Sequence, residues 1–299
     1  MMRGIIMNDF FGYEGKICVV TGSSNGMGLA TAKMLVELGA KVYCVSRSDT
    51  RIEGIEKSIK CNLSDKASID SAFEQLPEHI DCFFGVAGLS GAKNDYITTF
   101  NCDFTANKYI TLTYLRDRMT AGGSIVYVSS TAGMFWQKYM REQNKVVEAD
   151  GWDATVAALG KLPKIAPANF AYIFAKRCMS QFAAKQAYEL GKRGIRVNNV
   201  MPGSTATGMK DEFQKLAGGE EQLLSQTGVA HRLASPEEMA GPIVFLGSAM
   251  ASFTSGLDFV VDAGCNAMET MGFKKNQMNI PATNTLVLTI AAKAMQKSK

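Results

Sequence analysis

The stretch "KICVVTGSSNGMG" constrains this chain more than any other part of it. A short apolar run, Ile17 to Thr21, passes straight into a glycine-rich turn. The turn opens the helical pattern "MGLATAKMLVELG", for which Gly39 is a natural C-terminal cap. Strand, tight turn and helix in that order make the first half of a βαβ unit. Gly22, Gly26 and Gly28 suit a backbone that must curl tightly and approach a diphosphate at a helix N-terminus, with Ser24, Asn25 and Met27 in the same turn. Taken alone, such a string could be a plain turn. Placed between a strand and a helix, it indicates nucleotide binding.

The same rhythm continues along the chain. "KVYCVS", "IDCFFGVAG", "GSIVYVSS", "GIRVNNVMPG" and "LDFVVDAG" are further apolar strand candidates, and "SIKCNLS" is another. Residues 66–76, 102–119 and 169–191 carry helical periodicity between them. Apolar strands separated by helices predict a parallel sheet of about seven strands covered on both faces, a doubly wound α/β fold. No internal repeat or low-complexity linker divides the chain, so one domain over 1–299 is expected. Residues 133–167 interrupt the alternation with what reads as two short helices, and 265–299 form a C-terminal extension.

Composition narrows the function. Hydrophobic residues make up 46% and charged residues 20% of 299, and the net charge is a mild +4. Basic residues are scattered among acids, which argues against a nucleic-acid partner. Seven cysteines without metal-type spacing, three of them (Cys18, Cys44, Cys82) inside apolar runs, read as small buried hydrophobes in a reducing compartment. The apolar start is too short for a signal peptide, and "LVLTIAAKAM" near the end is too short to span a membrane. A cytoplasmic protein is expected. Membrane-surface attachment through the tail stays open beside a tail that packs on another subunit or lies loose. His79 and His231 have no triad or metal spacing, and no metal site is expected.

Ligands of open parallel sheets bind at the carboxyl ends of the strands. At the end of the second strand Ser46 and Arg47 stand where an acid would hold a ribose 2′-hydroxyl. A neutral residue beside a guanidinium suits a 2′-phosphate and favours NADP(H); with Asp49 serving the ribose instead, NAD(H) is possible. Two Tyr–Lys pairs have helical spacing, Tyr172/Lys176 and Tyr188/Lys192. Tyr172 lies near the start of its helix, on the ligand side. Tyr188 lies about 24 Å further along at ~1.5 Å per residue, by the opposite edge, and is the decoy. "IVYVSS" brings Ser129 and Ser130 to a strand end.

Together "TGSSNGMG", Asn101, Ser130, Tyr172 and Lys176 resemble the short-chain dehydrogenase/reductase family and its Asn–Ser–Tyr–Lys tetrad, with further likeness in "VAG", "PGSTAT" and "VDAG". The resemblance covers about 15–264 and implies a Rossmann-like fold and hydride transfer between nicotinamide and a carbonyl or alcohol. It also implies that Asn62 and Leu63 flank adenine and that Ala87 and Gly88 line the dinucleotide. By the same resemblance Tyr172 and Lys176 contact the nicotinamide ribose, and Pro202, Gly203, Thr205 and Thr207 hold the carboxamide. This chain departs from the pattern with Gly85 and Val86 in place of two asparagines, and with Asn62 in place of an aspartate. The long Ser130-to-Tyr172 gap resembles the bacterial 3α-hydroxysteroid dehydrogenase/carbonyl reductase subgroup, which uses such an insertion in a helical subunit contact; a homodimer or homotetramer is implied.

The expected chemistry follows. Lys176 and a positive nicotinamide would lower the Tyr172 pKa from about 10 so that the phenol can exchange a proton near neutrality. Ser130 would hold the carbonyl oxygen, and by resemblance Asn101 would help a water-linked proton relay behind Lys176. Pocket walls are expected from Leu89, Tyr96, Met209 and Phe213, with Met134, Phe135, Trp136 and Trp152 from the insertion. Apolar walls suit a hydroxysteroid or bile-acid-like substrate; the alternative is a small aliphatic or aromatic ketone, with Phe135 and Trp136 anchoring a subunit contact instead. A dinucleotide-sensing binding protein without turnover is the reading from another class. Asp262 reads as a residue that only fixes the final loop.

Overall fold

In the computed structural model, which describes residues 8–162 and 169–274, seven parallel strands form one sheet in the order β3-β2-β1-β4-β5-β6-β7. The strands are β1 (Ile17–Thr21), β2 (Lys41–Ser46), β3 (Lys57–Lys60), β4 (Cys82–Gly85), β5 (Ser124–Val128), β6 (Arg196–Pro202) and β7 (Asp258–Val261). Six fall within the strand candidates of the sequence, and β3 begins one residue before its candidate, "SIKCNLS". The central strands β4 and β5 are buried along their whole length, which is why they read as continuous apolar stretches and not as alternating ones. Strand order reverses between β1 and β4, and the crevice this opens at the carboxyl ends is where a ligand belongs.

Helices close both faces. On one, helices Gly26–Glu37 and Pro236–Gly247 bury Leu35, Ile243 and Val244 against Val20, Val42, Phe84 and Val126. A Ser235–Glu238 capping box and Pro236 in the first turn fix where the second of these helices begins. On the other face, Lys66–Phe73, a helical run over 96–118 and Asn169–Glu189 cover Val19, Phe83, Ile125, Tyr127 and Val197. All seven cysteines are free thiols buried in the protein.

The run over 96–118 starts where Asp95 accepts the backbone N–H of Thr98 at 2.9 Å. It contains two widened π-helical turns, Asn101–Thr105 and Thr111–Leu115. Turns of this kind recur at functional positions, and the first begins at Asn101.

Between β5 and helix Asn169–Glu189 the chain forms helices Met140–Val147 and Gly151–Gly160, the two expected in 133–167. Residues 163–167, and the tail from 275 onward on which the membrane and subunit readings rested, lie outside the described residues. The segment packs closely on its own chain. Arg177 lies 3.9 Å from the Tyr139 ring centre, Gln181 donates to Asn144, and Trp152 meets Tyr109 edge-on at 5.8 Å. Lys108, 2% exposed, reaches into the segment and donates to the Val146 carbonyl at 2.9 Å, the Thr155 hydroxyl at 2.9 Å and the Ala149 carbonyl. Burial pushes the Lys108 amine down to about 8.

Lys108 therefore acts as an internal cap for this segment. Lys108→Met leaves the Val146 and Ala149 carbonyls without that donor. It is expected to cost about 2 kcal/mol or more of stability in urea unfolding and to speed proteolysis within 133–162. An unchanged unfolding midpoint would contradict this role.

Candidate active site

The loop after β1 cannot carry side chains at its glycines. A Cβ on Gly22, which has φ +72°, would lie 2.7 Å from the Ala87 Cα, and one on Gly28 would lie 2.3 Å from the Gly22 carbonyl oxygen. The loop is thus pressed against the end of β4 while its helix begins at Gly26. Asn25, at the N-cap, makes no side-chain capping bond, so the first backbone N–H groups of a twelve-residue helix face the crevice with its positive dipole end. Thr21 holds the other wall: its hydroxyl accepts the backbone N–H of Val86 at 3.1 Å and of Ala87 at 3.3 Å.

These walls enclose a groove of about 490 Å³ lined by Gly22, Ser24, Asn25, Gly26, Met27, Gly28, Ser46, Arg47, Asn62, Leu63, Ala87, Gly88 and Thr207. The sequence-predicted dinucleotide residues therefore come together, apart from Pro202, Gly203 and Thr205, which line the adjoining cavity with Tyr172, and Lys176 behind it. A glycine cradle closed to any Cβ at a helix N-terminus fits a diphosphate. At the far end Ser24 and Ser46 bond each other at 2.7 Å. Arg47 is exposed at the groove, whereas Asp49, the alternative ribose partner, pairs with Lys60 at 3.5 Å and is not part of the lining.

The catalytic candidates meet where β5 ends. Ser129 is structural: its hydroxyl donates to the Lys176 carbonyl at 2.7 Å, and its N–H donates to Val200. Ser130 turns to the cavity instead and shares its wall with Tyr172. Lys176, 3% exposed, donates to the Val128 carbonyl at 3.0 Å and sits 5.4 Å from the Tyr172 ring centre. Gly133 lets the chain pass over this helix, because a Cβ there would lie 2.7 Å from the Ser129 hydroxyl oxygen and 2.8 Å from the Lys176 carbonyl oxygen.

Two effects oppose each other at Tyr172, whose expected lowering counted on Lys176 and a bound nicotinamide together. Burial raises the Tyr172 phenol above its ordinary pKa, although the Lys176 ammonium and a hydrogen bond with Ser130 both pull it down. Desolvation of the phenolate outweighs the two protein groups. Asn101 is buried in the first π-helical turn, and among the described residues its Oδ1 has no hydrogen-bond partner. The decoy pair behaves as a surface pair: Tyr188 is 70% exposed with Lys192 4.1 Å from its ring centre.

Beside Tyr172 lies a cavity of about 230 Å³, lined among others by Ile173, Met209, Phe213, Leu216, Leu223 and Leu233. Phe213 stands edge-on to the Tyr172 ring at 5.4 Å. Met209 and Phe213 are thus wall residues, as expected. The other expected walls are elsewhere. Leu89 lines the dinucleotide groove, and Tyr96 packs on the core. Trp152 is buried in the core, and Trp136 donates its indole N–H to Asp258 at 2.9 Å. Neither Met134 nor Phe135 lines the cavity. The Asp258 carboxylate holds Trp136, and the Tyr109 ring meets Trp152 edge-on.

One feature had no local sequence signal. Glu212, on helix Lys210–Ala217, accepts from Ser90 and pairs with Lys93 at 2.6 Å, which joins that helix to the loop after β4 across the mouth of the groove. His79 and His231 are exposed, His79 beside Asp81 at 3.2 Å. Asp262 accepts the N–H groups of Gly264 at 3.0 Å and Asn266 at 2.8 Å, and so fixes the loop after β7. Among the described residues no group of acidic, histidine or cysteine side chains could hold a metal ion, and no helix is long and apolar enough to cross a membrane.

Comparison with known proteins agrees with this geometry. Residues 16–141 match the family described as short chain dehydrogenase, and 137–266 match that described as enoyl-(acyl carrier protein) reductase. Coniferyl-alcohol dehydrogenase of Pseudomonas sp. is 32% identical, over 83% of this chain and 96% of its own length. The 2,3-dihydro-2,3-dihydroxybenzoate dehydrogenase of Escherichia coli is 29% identical, over 84% and 97%. A candidate 2-deoxy-D-gluconate 3-dehydrogenase of Agrobacterium tumefaciens, solved with bound NADP, superposes with a TM-score of 0.65 at 21% identity, covering 87% of this chain and 99% of that one. With a glycine cradle at the strand reversal and a relative this similar across nearly its whole length, the chain belongs to the short-chain dehydrogenase/reductase family.

Proposed function

We propose that this NAD(P)-dependent oxidoreductase exchanges a hydride between NADP(H) and a compact hydrophobic alcohol or carbonyl, with Tyr172 handling the proton. The observation that carries the reading is Tyr172 standing between the Lys176 ammonium and a largely apolar cavity that Ser130 also lines. The nicotinamide supplies or takes the hydride when bound. The chain's own residues do the rest. Ser130 holds the substrate oxygen, and Tyr172 gives that oxygen its proton in reduction or removes it in oxidation. Lys176, anchored on the end of β5, favours the phenolate form. Asn101, Ser130, Tyr172 and Lys176 are the catalytic residues of this proposal. Gly22, Gly26, Gly28, Ala87 and Gly88 flank the diphosphate and ribose, and Pro202, Gly203, Thr205 and Thr207 flank the carboxamide.

Size favours a small substrate. The cavity of about 230 Å³ falls below the ~300–1,000 Å³ usual for drug-sized ligands. A hydroxysteroid or bile-acid-like substrate drew its extra wall from Trp136, Phe135 and Trp152, whose side chains lie outside the cavity. A one-ring alcohol or ketone fits the space better, and relatives named for coniferyl alcohol and a dihydroxylated ring carboxylate lend support. Exposed Arg47 beside neutral Ser46 supports NADP(H) over NAD(H).

In a steady-state screen with both cofactors, cinnamyl- and benzyl-type alcohols are expected to exceed 3-hydroxysteroids in kcat/KM; the reverse ranking would restore the steroid reading. Tyr172→Phe is expected to lower kcat about 10²–10⁴-fold while NADPH binding, followed by fluorescence, changes little. Retained turnover would end the catalytic assignment, and a wild-type chain that binds NADPH but turns over nothing would favour the sensor. Arg47→Ala is expected to weaken NADPH binding about 10–100-fold and to leave NADH binding nearly unchanged; equal losses for both would remove the 2′-phosphate role.

A further inference from the structure

Asp103 is a buried acid that none of the roles above uses. It lies in the π-helical turn Asn101–Thr105, is 1% exposed, and accepts the backbone N–H of Leu89 through Oδ1 at 2.7 Å. Among the described residues its Oδ2 has no hydrogen-bond partner. The position a Cβ would take on Gly88 lies 3.3 Å from Asp103 Oδ1 and 3.3 Å from Lys176 Nζ. The carboxylate and the ammonium therefore flank one gap beside the Gly88 backbone, where a Cβ would be a tight contact for both.

A charge is not needed for the bond that Asp103 makes, because an asparagine amide oxygen could accept the same Leu89 N–H. Burying a carboxylate costs free energy unless a counter-charge answers it. The groups acting on it are the Lys176 ammonium from helix Asn169–Glu189 and the Leu89 N–H from the loop after β4. Asp103 in turn disfavours ionisation of Tyr172 and of its neighbour, the Cys102 thiol, by raising the pKa of each. Burial lifts the Asp103 carboxyl to about 6 while Lys176 opposes the rise.

We infer that Asp103 is a positioning residue of the catalytic centre, the buried counter-charge that holds the Lys176 ammonium across Gly88 and sets how strongly that ammonium acts on Tyr172. The inference rests on the assignment of Tyr172 and Lys176 as the proton-handling pair. When Asp103 is ionised it partly cancels the field of Lys176 at the phenol. When it takes up a proton, the ammonium acts on Tyr172 in full. The carboxyl is thereby a brake on phenolate formation that is released as pH falls through the midpoint of Asp103.

Asp103→Asn keeps the Leu89 bond and removes the charge. In alcohol oxidation, where Tyr172 serves as base, the pH midpoint of kcat/KM is expected to move down by about 0.5 unit or more, with thermal stability and NADPH affinity nearly unchanged. A second readout needs neither turnover nor that variant. With carboxyl-carbon-13 aspartate, one resonance of the wild-type protein should titrate near pH 6, and Lys176→Ala should shift its midpoint upward. An unmoved pH profile in a folded Asp103→Asn protein overturns the inference. So does the absence of any aspartate resonance that responds to Lys176→Ala. Should Tyr172→Phe keep full activity, the underlying catalytic assignment fails instead, and the two failures are told apart by that control.

Discussion

Lys176 must lose almost all contact with water and still keep its charge, and much of the architecture answers that demand. Its ammonium is 3% exposed and bonds the last carbonyl of β5. The carbonyl of the same residue accepts from Ser129, so β5 grips the helix at both ends of one residue. This double attachment places Tyr172, one turn earlier, over the cavity. Ser129 takes the bond to the helix, while Ser130 faces the cavity with its hydroxyl accepting the Ala132 N–H at 3.1 Å. Bringing the chain so near the helix requires Gly133, where no side chain could be accommodated. A lysine in this setting needs negative partners, and the geometry offers a carbonyl dipole, the phenol and the Asp103 carboxyl.

The segment between β5 and the Tyr172 helix shows how a long stretch is held in place by packing on the main core and by polar ties to the helix it covers. Val146, Val147, Trp152 and Leu159 join the main hydrophobic cluster, while the polar faces are secured by Arg177, Gln181 and Lys185 from the helix they cover. Lys108 reaches its centre from the opposite side. Trp136 then ties the start of the segment to Asp258 at the edge strand, and Asp258 bonds Asn199, which bonds Ser180 on the Tyr172 helix. The chain of contacts runs from the sheet edge to the helix bearing the proton-handling pair.

Most of the scaffold was legible because its signals are local. Strands buried on both faces must be apolar throughout, a phosphate turn must have glycines where Cβ atoms would collide, and helical spacing places Tyr172 and Lys176 together. Choosing Tyr172 over Tyr188 needed only the direction of a helix leaving a strand end. What was not legible depends on contacts between residues far apart in sequence. Ser90 and Lys93 meet Glu212, and Lys108 meets Thr155, without any pattern that pairs them. Trp136 and Trp152 looked like pocket walls because large aromatics usually seek apolar company; here indole N–H bonding and a Tyr109 ring claimed them. The upward push of burial on Tyr172 was not legible for a related reason, since the penalty of burial is set by everything packed around a phenol and not by its nearest cation.

Helix Lys210–Ala217 and the turn before it border two compartments at once. Thr207 and Met209 face the dinucleotide groove on one side and the apolar cavity on the other, and Glu212 fastens the helix to the loop after β4. A displacement of this element that admits a molecule to one chamber necessarily reshapes the other. The two chambers thus share a partition, and a side chain changed on it alters the walls of both.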